Sequence, residues 1–174
     1  MKPEHAAFAR DFFTEGLQQE AKTTRNVLNA VPATKNDYKP DPKSRSGFEL
    51  AWHIAASDSW FLDGILKGAF DPSGDKSNKV PAEIRTPGDI VAFYDKNYIA
   101  RIPELSKLTP EQLAKVTDFF GAFQYPLAVY IGWLSNHSIH HRGQLCAYLR
   151  PMGGKVPSIY GGSADEPFQM GANA

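Results

Sequence analysis

The sequence predicts an all-α protein, a four-helix bundle, on three observations. Four stretches repeat apolar residues at steps of three and four, the period of one helical face. Each stretch opens or closes on residues that cap or stop helices. Two polar segments rich in Pro, Gly and Ser, about 32–46 and 71–86, separate helices as surface loops. Almost no strand signal competes. Amphipathic helices joined this way bury their stripes against one another as a bundle.

Helix one is expected from about Pro3 to Leu28. Pro3 suits a first helical position, and Phe13, Leu17, Ala21, Thr24 and Leu28 form its stripe. Helix two starts at Ser46, where Ser46 and Glu49 spell a capping box, and runs to about Lys67 before Gly68. Helix three starts at Thr86 with Pro87 in its first turn and Asp89 near the positive end of the dipole. Val91, Tyr94, Tyr98 and Ile102 make its stripe, and Pro103 should kink or end it. A short helix follows from Pro110 to Val116, and Thr117–Tyr125 reads as an extended segment. Helix four runs from Pro126 to about Leu149, stopped by Met152-Gly153-Gly154. In the tail, Val156, Ile159 and Tyr160 are expected to pack back on the body.

Composition narrows the function. The chain has 174 residues, enough for one domain over 1–174 with a real core. Lys plus Arg equal Asp plus Glu at 19 each, and no basic stripe stands out, which argues against nucleic-acid binding. The longest apolar run, Tyr125 to Leu134, is too short to span a bilayer, so no membrane is expected. No apolar segment follows the charged N-terminus as in a signal peptide. The single cysteine, Cys146, cannot form a disulfide framework, and a reducing, cytoplasmic setting is expected.

Helix four carries the informative pattern. Leu127, Tyr130, Leu134, His137, His141, Gln144 and Tyr148 step by threes and fours, an inward seam with two histidines at its middle. In helix two, Leu50, His53, Ser57, Trp60 and Gly64 share a stripe, and His53 is its polar intruder. A buried imidazole left without a partner costs about 1–3 kcal/mol. Three on inward faces call for one explanation, and a divalent metal ion supplies it. Histidines at i and i+4 reach the same ion, and a facing helix can add a third. The plain alternative is three core histidines with ordinary hydrogen bonds. His140, about 60° from His137 on the helix wheel, stays open as a ligand on spacing alone. His5 reads as solvated.

The run Asn136-His137-Ser138-Ile139-His140-His141-Arg142-Gly143-Gln144 resembles the H-x-x-x-H-R-G-Q signature of the DinB/YfiT-like family. Tyr148-Leu149-Arg150, Gly153, Val156-Pro157 and Tyr160-Gly161 extend the resemblance. Trp52-His53-Ile54-Ala55 with Trp60 looks like that family's first histidine segment. The resemblance implies a four-helix bundle in up-down-down-up order, a homodimer, and a metal triad of His53, His137 and His141. In that signature the histidine before Arg-Gly-Gln is the ligand, which selects His141 over His140.

Three neutral imidazoles leave a divalent ion, zinc or nickel first, with an open position. Such an ion lowers the pKa of bound water or holds a thiol as thiolate. The resemblance therefore implies a small-molecule substrate and metal-dependent chemistry, as a thiol S-transferase using a low-molecular-weight thiol co-substrate or as a hydrolase. A noncatalytic metal-binding or stress-response protein and a metal-free helical dimer are the alternatives. No catalytic base is named by the sequence. Glu49 and Ser57 flank His53 by one turn and could orient it, although Glu49 already has a capping role. Gln144 is expected to face inward and hydrogen-bond a ligand or a neighbouring helix; Arg142 reads as a salt-bridge or partner contact. Trp52, Trp60, Tyr130 and Tyr148 could line a pocket, though aromatics at helical spacing read first as core. Cys146 reads as a small buried residue rather than a nucleophile.

Overall fold

The computed structural model describes residues 1–168; residues 169–174, the end of the expected 1–174 domain, lie outside the described residues. Helix α1 spans Pro3–Asn29, α2 Gly47–Lys67, α3 Pro87–Asn97, α4 Pro110–Ala114 and α5 Leu127–Leu149. Strands β1 (Val116–Phe119) and β2 (Phe123–Pro126) precede α5. The starts follow local chemistry. Ser46, Thr86 and Thr109 each accept the amide three residues on, and the side chain there returns to the cap amide. The α2 helix ends on Gly68 at φ 67°, a left-handed turn that suits glycine.

Three boundaries differ from expectation; the first is the short helix expected from Pro110 to Val116, which ends at Ala114 because Val116 already pairs in β1. The third helix stops at Asn97, before Pro103, and continues as a tighter 3₁₀ segment over Ile99–Lys107. A proline removes one backbone donor and crowds the turn before it, and the tighter winding accommodates both. The expected stripe survives, with Val91, Tyr94, Tyr98 and Ile102 all buried. Thr117–Tyr125 is extended as expected, but as an antiparallel hairpin pairing Phe119 with Phe123 and Thr117 with Tyr125. Phe120 and Gly121 make its turn, both at positive φ.

The order of the long elements follows from side-chain pairs. Phe13 of α1 packs on Gly132 of α5, and Thr24 lies 3.3 Å from Ser138, so α1 and α5 run parallel. Phe70, just past α2, stacks on Tyr130 near the start of α5, while His53 near the start of α2 meets His141; these two run antiparallel. Trp52 meets Phe93, Tyr94 meets Asp58, and Arg101 pairs with Asp63, so α3 runs parallel to α2. The bundle is up-down-down-up. Both α1 and α2 pack against α3 and α5, which places α1 and α2 on one diagonal. The core along α5 is Leu127, Ile131, Leu134, Leu145 and Leu149, with Ser138 and Arg142 buried in the same row. In the tail, Val156 and Ile159 pack on the core, whereas the Tyr160 ring stays 72% exposed. Its hydroxyl accepts from Arg142 (2.6 Å) and donates to Glu20 (3.0 Å), which anchors the segment by a polar contact.

Candidate metal centre

His53 sits in the second turn of α2; His137 and His141 sit one turn apart on α5, which packs against α2. The three rings converge, with centroids 5.4 Å (His53–His137), 4.7 Å (His53–His141) and 4.6 Å (His137–His141) apart. One nitrogen from each lies within 4.8 Å of the others. The centre is not in the middle of the seam, as the spacing on α5 suggests. Ser138 and Arg142 hold the fully buried positions, and His137 and His141 lie half-buried beside them, toward α2. The cause is that α5 serves two neighbours, α1 and α2, so its apolar stripe is wide and the histidines occupy its margin.

Each ring has an acceptor on Nδ1. Ser57 Oγ lies 3.3 Å from His53 Nδ1, Asp58 Oδ1 3.2 Å from His137 Nδ1, and Gln144 Oε1 3.1 Å from His141 Nδ1. Acceptors there favour the Nδ1–H tautomer, in which Nε2 carries the free lone pair; the Ser77 backbone is a further hydrogen-bond partner of the His53 ring. Asp58 is fully buried and also accepts from the Tyr94 hydroxyl at 3.3 Å. Burial above all, then the positive charge of Arg45 and the neighbouring histidines, holds the His53 imidazole down at about 4. His141 is also pushed down to about 4; burial is the main cause, partly opposed by its hydrogen bond to Gln144. Near neutral pH both rings are uncharged, the form that ligates metal.

The donor set suits a divalent ion. Nitrogens about 2.0–2.1 Å from a tetrahedral zinc stand about 3.3 Å apart, so rings already within 4.8 Å need shift little to close on it. His137 and His141 are partly exposed, so the cluster meets solvent on that side. His140 stacks edge-on against His141 from the exposed side, outside the group of three.

The other predicted residues separate. Ser57 and Gln144 reach the histidines through Nδ1, but Gln144 is exposed rather than inward, and its Nε2 donates to the Tyr148 hydroxyl at 3.3 Å. Glu49 is held by its capping role. Its Oε2 accepts from the Ser46 amide at 2.7 Å and pairs with Lys39 at 3.2 Å, and these contacts keep its carboxyl below the usual range. Trp60 donates to the Asp71 carbonyl, stacks on Phe120 and meets Phe61, Phe70 and Phe119 edge-on or tilted, away from the triad. Tyr130 is buried in the same aromatic group, its hydroxyl donating to the Thr117 carbonyl at 2.9 Å. Arg142, 2% exposed, forms an ion pair with Glu20. Burial pushes the Cys146 thiol up, against a nucleophilic role.

Asp58 is the site residue that the histidine spacing does not show. Ile54, Asp58, Leu62 and Ile65 step by four, four and three. An acid in that stripe is a buried carboxylate in need of a partner, and this was the available signal.

A helical bundle with a convergent histidine triad defines the class of this protein. The DinB family model matches residues 8–169, and the chain belongs to the DinB family. It is 31% identical over 135 residues to the uncharacterized protein YjoA of Bacillus subtilis strain 168, covering 74% of this chain and 84% of that one. It is 28% identical over 171 residues to the uncharacterized protein YrdA of the same strain, covering 94% and 95%. Among solved structures, a DinB-like protein from Bacillus cereus ATCC 10987 superposes with a TM-score of 0.69 at 25% identity, covering 85% of this chain and 95% of that one. The YjoA structure from Bacillus subtilis gives 0.67 at 26%, covering 83% and 95%.

Proposed function

We propose that the chain, over residues 1–174, works as one unit that binds a divalent metal ion, zinc or nickel, through His53, His137 and His141. The observation that carries this is the arrangement of the Nδ1 atoms. The Asp58 and Gln144 oxygens face those of His137 and His141, and the Ser57 hydroxyl faces that of His53, which supports Nδ1–H tautomers with the Nε2 lone pairs left for one ion.

We further propose that the centre is catalytic, as a thiol S-transferase or hydrolase acting on a small-molecule substrate. When bound, the ion supplies Lewis acidity that makes a thiol or water nucleophilic near neutral pH. The protein groups orient the ligand nitrogens and keep His53 and His141 neutral. Transfer of a low-molecular-weight thiol asks less of the protein than hydrolysis. Among the described residues the one carboxylate bonded to the triad is Asp58, and it is engaged by His137 and Tyr94, so no free general base adjoins the site. A cytoplasmic homodimer completes the reading. The exposed rings of Phe8 and Phe12, 72% and 66% accessible, support a second copy covering that end of α1.

Elemental analysis by mass spectrometry tests the metal. About one zinc or nickel per chain is expected in the purified, untagged protein, falling to background in a variant with His53, His137 and His141 all changed to Ala. No metal in either protein after divalent ions are added back overturns the assignment. With metal established, thiols screened against electrophiles test the reaction, and sedimentation tests the dimer.

A further inference from the structure

A cleft of about 460 Å³ opens where the loop before α2 meets the loop after it, and its charge is unlike that of the rest of the molecule. Lys39, Lys43, Arg45 and Lys79 line it, against a single carboxylate, Glu49. That is four cations and one anion in a chain whose formal net charge is zero. Glu49 is already engaged by the Ser46 amide and Lys39, and nearby Asp75 by the Ser77 amide. Among the described residues, Lys43 and Lys79 have no carboxylate partner within salt-bridge distance. Concentrated like charge in a concave wall raises the local potential and draws anions.

The cleft adjoins the triad. Trp52, one of its walls, directly precedes His53, and the backbone of Ser77, another lining residue, lies against the His53 ring. Ser77 adds an independent sign of a ligand. It is 2% exposed, yet its hydroxyl has no hydrogen-bond partner among the described residues, which is rare for a buried hydroxyl. The first amides of α2 are not available here, because Gly47 and Phe48 donate to the Tyr38 and Asn36 carbonyls and Glu49 to the Ser46 hydroxyl, so recognition falls to side chains: the Arg45 fork, lysine point charges and hydroxyls.

We propose that this cleft binds the carboxylate of the small molecule that reacts at the triad, so that the substrate class is a carboxylate-bearing thiol or its carboxylate-bearing acceptor. Arg45, Lys43 and Lys79 hold the charge, Ser77 donates to it, and the reacting end reaches the histidines past Trp52. This rests on the metal reading above. The cations are specificity residues, since they hold the unreactive end.

Two thiols of similar size and opposite charge test it: 3-mercaptopropionate and 2-aminoethanethiol. Each is titrated by calorimetry into zinc-loaded wild type, an Arg45→Gln/Lys79→Gln variant and a Lys43→Gln/Lys79→Gln variant, with zinc content measured in the same samples. Among the described residues the Lys43 and Lys79 side chains make no hydrogen bond or ion pair, so the second pair guards against a folding defect from losing the Arg45–Asn78 hydrogen bond. Wild type is expected to prefer the carboxylate thiol about tenfold, the scale of one well-made charged contact. Both variants should keep their zinc and bring the preference within about twofold, and added salt should erode it in wild type. Equal affinity for the two thiols in zinc-bearing wild type, or an unchanged preference in both variants, overturns the proposal. If wild type holds no zinc, the metal reading fails on its own. Succinate against 1,4-diaminobutane on metal-free protein then decides the cleft, where a succinate preference lost in the variants upholds it and no preference overturns it.

Discussion

At the scale of single residues, Asp58 decides how well the centre is built. Its carboxylate is out of water and accepts from His137 Nδ1 and the Tyr94 hydroxyl. Asp58→Asn keeps the size and one acceptor but removes the charge that makes His137 a stronger donor. Metal affinity should fall about 10–100-fold, the usual effect of losing such an orienting partner, with helicity retained. Competition with a chromophoric chelator measures it, and affinity within twofold of wild type would show that Asp58 serves only the fold. His53 and His141 set the pH response. In the unfolded chain an imidazole takes its proton near 6.5, and in the fold these two take theirs only near 4. Between those values the unfolded state binds more protons, so acid favours unfolding. Metal-free protein should be at full stability above pH 6.5 and lose it progressively as pH falls toward 4. Urea midpoints across that range test this, and the His53→Ala/His141→Ala variant should show a flatter profile.

At the scale of elements, what was legible depended on whether the signal was local. The Ser46-x-x-Glu49 box and Gly68 stated both ends of α2, and the structure uses both. Ser46→Ala should therefore cost about 1 kcal/mol, seen as a lower urea midpoint at unchanged slope. The β1–β2 hairpin was harder to read, because Phe120-Gly121 stands where Asn-Gly would announce a turn with two positive φ angles. Phe120 is instead held by stacking on Phe119 and Trp60, contacts that no local pattern reveals. The misreading of Gln144 has the same origin. Spacing on α5 gives one face, but two neighbours share that helix, and burial shifts to Ser138 and Arg142.

At the scale of the whole molecule, the histidine triad was legible because three residues carry it, whereas the basic cleft was not, because its cations come from loops on either side of α2 and never form a run. On the proposed metal reading, the same non-local geometry sets how an ion acts on stability. The centre joins α2 to α5 across the bundle, linking residues 84 or more positions apart in the chain, and the unfolded chain cannot present such a set. An ion that binds only the folded state stabilises it by RT ln(1 + [L]/Kd), about 2.7 kcal/mol when free metal is a hundred times Kd. For a chain of this length, about 2–4 °C accompanies each kcal/mol, so saturating zinc should raise Tm by about 5–10 °C over chelator-treated protein. The rise should grow with the logarithm of free zinc, because the linkage is by mass action. The triple histidine-to-alanine variant should melt at one temperature with or without zinc. A zinc-dependent rise of equal size in that variant would place the stabilising ion elsewhere on the molecule and separate the triad from the metal response.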